Sequence, residues 1–201
     1  MSGNGIERWS RADRAKAAAK LMAGWIALLW ALEAVDLATG HALDPYGVTP
    51  RESAELAHIV PSAFLHFGFG HVAANSVPLL VLGFLAALGG IRRFLAVVAL
   101  IVVAGGLGVW LFSPSGTVTA GASGLVFGLF GYLVARALVE RRPLEAVVGL
   151  LVAAVWGGTM LTGLAPAQGV SWQGHLFGLL AGVAAAFALR RRHARAAALT
   201  P

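Results

Sequence analysis

Six apolar stretches, at residues 21–40, 71–90, 94–112, 123–139, 144–162 and 173–189, take up most of this chain. About 20 apolar residues rising about 1.5 Å each cover a hydrocarbon core of roughly 30 Å, so each stretch predicts a spanning helix. Of the 201 residues, 58% are hydrophobic and 12% charged, and mean hydropathy is +0.79, which leaves no room for a soluble domain. The expectation is an all-α, polytopic membrane bundle. It comprises a basic N-terminal segment at 1–20, a six-helix membrane domain at 21–190 and a basic tail at 191–201.

A net charge of +6 and a pI near 11.1 raise nucleic-acid binding, but the placement of the basic residues points elsewhere. Arg8, Arg11, Arg14, Lys16 and Lys20 precede the first stretch. Arg92 and Arg93 separate the second from the third, Arg141 and Arg142 the fourth from the fifth, and Arg190, Arg191, Arg192 and Arg195 follow the sixth. All fall on one side of a six-span chain, with Arg51 opposite and Arg136 able to snorkel from the end of the fourth stretch. By the positive-inside rule both termini are cytoplasmic, and the charge reports topology and contact with anionic lipid rather than nucleic acid. The first stretch is long, carries Glu33 and Asp36 late and lacks a small-x-small site, so it reads as retained rather than as a cleaved signal. With no cysteine, thiolate nucleophiles and cysteine metal sites are excluded.

The second, fourth and sixth stretches all run inward from the opposite side, and polar residues stand at their beginnings. Ser123 lies about 20 Å along the axis from Arg136, His175 about 22 Å from Arg190 and Asn75 about 26 Å from Arg92. These groups, with His71 one turn above Asn75, therefore share one layer a few ångströms below the outer surface. Serine needs a neighbouring base to become a nucleophile, and neutral histidine is the usual one near pH 7. His175 is the candidate base. His71 and Asn75, spaced i, i+4, project from one helix face as donors to a developing oxyanion, joined by the unpartnered backbone N–H of Ser123. No carboxylate is placed to orient His175, which favours a dyad. Gly124 and Gly128, with Gly121 before them, and Gly174, Gly178 and Gly182 supply small residues that let the fourth and sixth helices approach closely.

Each residue also has a plainer reading. Ser123 could cap a helix, His175 could be a packing residue and Asn75 an interhelical hydrogen bond. A metal held by His66, His71 and His175 lacks a carboxylate or cysteine to complete a familiar shell, so none is expected. Glu33 and Asp36 read as solvated or loop-contacting groups. Trp25, Trp30, Trp110, Trp156 and Trp172 read as interfacial or packing aromatics.

Three runs taken together carry a family resemblance: His71-Val-Ala-Ala-Asn75, Gly121-Ala-Ser123-Gly124, and Gly174-His175-Leu-Phe-Gly178-Leu-Leu-Ala-Gly182. In order and spacing they resemble the rhomboid intramembrane serine proteases over roughly residues 21–190. The resemblance implies Ser123 as nucleophile, His175 as general base and then acid, and Asn75 and His71 as oxyanion donors. His66 also matches a histidine of bacterial members and is read as structural, and no cofactor is expected. The resemblance further implies lateral substrate entry between the second and fifth helices and cleavage at small residues. The chain departs from the family pattern at three places. Ala57-His58 stands where a Trp-Arg pair is common, an acidic residue is missing from 82–90, and Phe127 replaces a tyrosine. The expected function is cleavage of single-span membrane proteins near the outer membrane boundary. A composition rich in Ala, Gly and Arg suggests the cytoplasmic membrane of a bacterium. The alternatives are a catalytically silent rhomboid-like protein that binds membrane clients, and a small transporter, although a transporter would favour inverted repeats and broken midplane helices.

Overall fold

The computed structural model describes residues 10–190; Arg8, Arg191, Arg192 and Arg195 of the basic clusters lie outside the described residues. Six long helices carry the fold: α1 (Arg11–Ala38), α2 (Phe69–Ala87), α3 (Ile91–Phe112), α4 (Ser123–Glu140), α5 (Pro143–Gly163) and α6 (Trp172–Ala188). Five are long and apolar enough to cross a membrane, and α6, with 17 residues, is apolar and about 25 Å long. The loop between α1 and α2 carries 3-10 helices at Asp44–Tyr46 and Ser53–His58, the second running into a short helical turn at Ile59–Ser62. The protein is thus a polytopic, all-helical membrane protein.

Helix α1 begins ten residues before the apolar stretch does. Ser10 accepts a hydrogen bond from the Asp13 N–H, and the Asp13 side chain reaches back to the Ser10 N–H, closing a capping box. The Ala- and Lys-rich residues that follow are strong helix formers, so the basic segment continues the helix beyond its apolar part. Gly90, at φ 120°, makes the reversal between α2 and α3, and Pro143 opens α5, where its missing N–H costs nothing.

α4 is the most buried of the five long spans and touches α2, α3, α5 and α6, most extensively α6. Glycine allows that contact. A Cβ at Gly178 would collide with the Gly124 carbonyl oxygen, and one at Gly182 with that of Gly128. A Cβ at Gly124 would stand 3.1 Å from the Gly174 carbonyl oxygen, and α3 joins through Gly105, whose Cβ would lie 3.6 Å from Gly178 Cα. Backbone therefore rests on backbone along one seam, the arrangement that replaces hydrophobic driving force between helices in lipid. α5 is the least buried span, and its extensive packing is with α4.

The bundle end that carries the basic residues is held by charge. Arg93 pairs with Glu140 at 2.7 Å, Arg136 pairs with Glu145, and the fully buried Tyr132 ring lies 5.7 and 5.8 Å from the two guanidinium carbons. Arg136 is thus buried in an ion pair that ties α4 to α5, not snorkelled outward as the sequence suggests. These pairs occupy the end of the bundle where residues 82–90 lack an acidic side chain.

Because the seam has no spare volume, Gly182→Ala should destabilise the protein by about 1–3 kcal/mol, as overpacking typically does. A lowered thermal midpoint in detergent, with Gly157→Ala as an unhindered control, would measure this; a Cβ at Gly157 meets nothing within 4 Å.

Candidate active site

The segment leading into α4 is fixed at several of its polar backbone groups. Thr119 and Val48 exchange two hydrogen bonds, at 2.8 and 3.0 Å, the Gly121 N–H donates to the Ser62 carbonyl at 2.8 Å, and the Ala122 N–H donates to His66 Nε2 at 3.2 Å. Gly121 has φ 134°, and a Cβ there would stand 2.7 Å from the His71 ring, so only glycine fits. Gly121 therefore abuts α2 from the loop rather than joining the α4/α6 seam. Ser123 is the first residue of α4; the cap position is Ala122, with no side-chain cap bond. The Ser123 hydroxyl is thus not used as a helix cap.

His175 sits in the first turn of α6, whose start is capped by Ser171 accepting from the Gly174 N–H at 3.3 Å. Its ring stacks on Phe127 with centroids 4.0 Å apart and planes 4° from parallel. Its Nδ1 lies 2.7 Å from the Gly163 carbonyl oxygen at the end of α5. A carbonyl only accepts, so Nδ1 carries the proton and Nε2 presents its lone pair. Sequence reasoning missed Gly163, because its side chain contributes nothing and only its backbone oxygen is used.

Ser123, His175, His71 and Asn75 line one cavity of about 870 Å³, together with the loop residues Thr119 and Gly169 and with Trp172 at the start of α6. Asn75, which lines the cavity, donates through Nδ2 to the His71 carbonyl at 3.1 Å and has a second N–H on the same nitrogen. Among the described residues no hydrogen bond joins Ser123 Oγ to His175, a looseness common in catalytic pairs without substrate. The Gly121 and Ala122 N–H groups are both taken, which leaves the Ser123 N–H as the first backbone donor of the turn.

A family model described as the Rhomboid domain matches residues 53–192. The chain belongs to the rhomboid family. An uncharacterised protein of Mycobacterium tuberculosis is 41% identical over 183 residues, covering 87% of this chain and 76% of that protein. YdcA of Bacillus subtilis, a rhomboid protease candidate by name, is 30% identical over 158 residues, covering 76% and 73%. The rhomboid protease GluP of Bacillus subtilis is 32% identical over 126 residues, covering 62% of this chain and 24% of GluP.

In this rhomboid the loop after α1 is anchored without the Trp-Arg pair. Arg51 donates to the Ser113 carbonyl at 2.9 Å, the Leu111 carbonyl at 3.3 Å and Ser115 Oγ at 2.5 Å, satisfying carbonyls at the end of α3. The Arg51 N–H donates to the Trp110 carbonyl at 3.1 Å, and Trp110 Nε1 donates to the Glu52 carbonyl at 3.1 Å. Asp36 holds the start of the same loop, accepting from the Leu43 N–H at 2.8 Å and pairing with His41 Nδ1 at 2.9 Å. The ligand atoms of Asp36, His41 and Asp44 lie within 4.8 Å of one another, the one such cluster among the described residues. Asp36 is already engaged with the loop.

His66 is buried in this loop, and burial, with a smaller contribution from nearby His71, pushes its pKa down from 6.5 to about 4. It stays neutral at pH 7 and accepts the Ala122 N–H through Nε2. The folded protein binds fewer protons than the unfolded chain between these values, so stability falls as pH drops from about 6.5 toward 4. The loss should be on the order of 3 kcal/mol. His66→Gln, which keeps an acceptor but does not titrate, should flatten this dependence; an equal slope in both proteins would refute the assignment. At the cavity, His71→Ala should lower turnover while fluorophosphonate labelling of Ser123 partly survives, because Asn75 and a backbone N–H remain. Equal and total loss of both would contradict a donor role.

Proposed function

We propose that this rhomboid is an intramembrane serine endopeptidase working through a Ser123/His175 dyad. The observation that carries the reading is the shared cavity. It brings a serine free of capping duty together with an imidazole whose tautomer leaves Nε2 available, beside two side-chain donors on α2. His175 Nε2 takes the Ser123 proton as Oγ attacks a peptide carbonyl. The developing oxyanion is met by the Ser123 N–H, Asn75 and His71. The imidazolium then protonates the leaving amine; in the second half His175 takes a proton from the water that attacks the acyl carbonyl and returns it to Ser123 Oγ as the acyl–oxygen bond breaks. Loss of a single oxyanion donor in such enzymes costs about 3–4 kcal/mol in the transition state, so each donor has a kinetic signature.

The substrates in this reading are single-span membrane proteins. Their helix must unwind locally, because a helical peptide bond is hydrogen-bonded and shielded, and entry is lateral, between α2 and α5. The protein sits in the cytoplasmic membrane of a bacterium with both termini in the cytoplasm, so the cavity opens near the outer boundary. The basic segments at 1–20 and 191–201 flank the membrane domain on the cytoplasmic side.

The test is cleavage of a single-span reporter in proteoliposomes by wild type, Ser123→Ala and His175→Ala, with products located by mass spectrometry. A cut near the reporter's outer boundary that disappears in both variants is expected. Reporters left intact by folded wild type would instead favour a client-binding protein without hydrolysis.

A further inference from the structure

The Gly163 carbonyl occupies the position, relative to the base, that a carboxylate holds in a catalytic triad. The last carbonyls of a helix lack intrahelical partners. At the end of α5 those of Leu161 and Thr162 accept from the Leu164 and Ala165 N–H groups, whereas that of Gly163 is taken by His175. The helix end also carries the negative pole of the backbone dipoles, which favours the imidazolium that forms when Ser123 gives up its proton. Space is equally specific: a Cβ at Gly163 would stand 2.6 Å from Phe127 Cζ, on the ring that stacks under His175, and 3.5 Å from His175 Nδ1.

We propose that the C-terminal end of α5 is the orienting third partner of the dyad, with the Gly163 backbone oxygen holding the His175 proton on Nδ1. It follows that the placement of α5 sets the competence of the base. Among the described residues α5 packs extensively only on α4 and is pinned at its other end by the Arg136–Glu145 pair, and its Gly163 end meets α6 through the bond to His175. A small displacement of that end lengthens the Nδ1 to oxygen bond and frees the ring to adopt the other tautomer, in which Nε2 carries the proton and cannot take one from Ser123. Gly163 is a positioning residue: it touches the base, not the substrate.

The catalytic meaning of this inference rests on the peptidase reading, but its direct readout does not require cleavage. Protein labelled with ¹⁵N-histidine reports the imidazole tautomer by NMR, with the His175 signal identified by its loss in His175→Gln. Wild type is expected to show the Nδ1–H tautomer. Two altered proteins perturb the bond: Gly163→Ala, and a chain in which Leu164 is replaced by its α-hydroxy-acid analogue. The second turns the Gly163 carbonyl into a weaker ester acceptor with every side chain kept. Both should show mixed tautomers and a fall of about tenfold or more in the fluorophosphonate labelling rate of Ser123, short of the roughly 10⁴-fold seen when a triad base is left in the wrong tautomer. Reporter kcat should fall with KM unchanged. An Nε2–H tautomer in folded wild type would overturn the inference. So would labelling lost with the tautomer unchanged, or both retained in the two altered proteins. The Nδ1–H tautomer in a wild type that cleaves nothing would support the orienting role and count against the peptidase reading alone.

Discussion

Everything at the site depends on how closely α4 and α6 approach. A serine hydroxyl is short and an imidazole is held near its own backbone, so the two meet only if the helix axes come nearer than ordinary side chains permit. The carbonyls of Gly124 and Gly128 lie where side chains at 178 and 182 would be. That leaves no tolerance for a methyl group on this seam. In lipid, such contact is favoured by van der Waals packing rather than by the hydrophobic effect, so shape decides it. The same closeness sets Phe127, one turn into α4, flat against the His175 ring.

With that seam fixed, the remaining parts are supported from the two ends. At the basic end two ion pairs and a buried tyrosine join α3, α4 and α5. Buried pairs such as these contribute little net stability against an apolar alternative, but breaking one leaves an uncompensated buried charge. At the cavity end, the loop after α1 takes the place of a rigid wall. Arg51 closes the carbonyls that end α3, Val48 pairs with Thr119, and Ser62 and His66 hold the two residues before Ser123. The turn before Ser123 thus has the N–H groups of Thr119, Gly121 and Ala122 committed, while the Ser123 N–H opens the first turn of α4.

Much of this is legible in the sequence, for a physical reason: spanning helices must be long and apolar, and polar residues inside them stand out. The six stretches and the shared polar layer follow from that, while the three motif runs are read through their resemblance to the rhomboid pattern. The helix start at Arg11 was less visible, because capping by Ser10 and Asp13 operates on polar residues that hydropathy assigns to solvent. Arg136 reads as a snorkelling residue, since nothing in the sequence tells that Glu145, on the next helix, faces it. Anchoring of the first loop could not be read because Arg51 acts on main-chain carbonyls some sixty residues away. Gly163 is the extreme case: the group that orients His175 is a backbone oxygen, present at every residue, selected only by where α5 ends.

The most direct measurement is reaction of the purified protein with a fluorophosphonate, followed by intact-mass analysis and location of the adduct. A single adduct on Ser123, absent in folded His175→Ala, is the result this account predicts. An adduct on another serine, or labelling of Ser123 that is indifferent to His175, would contradict it.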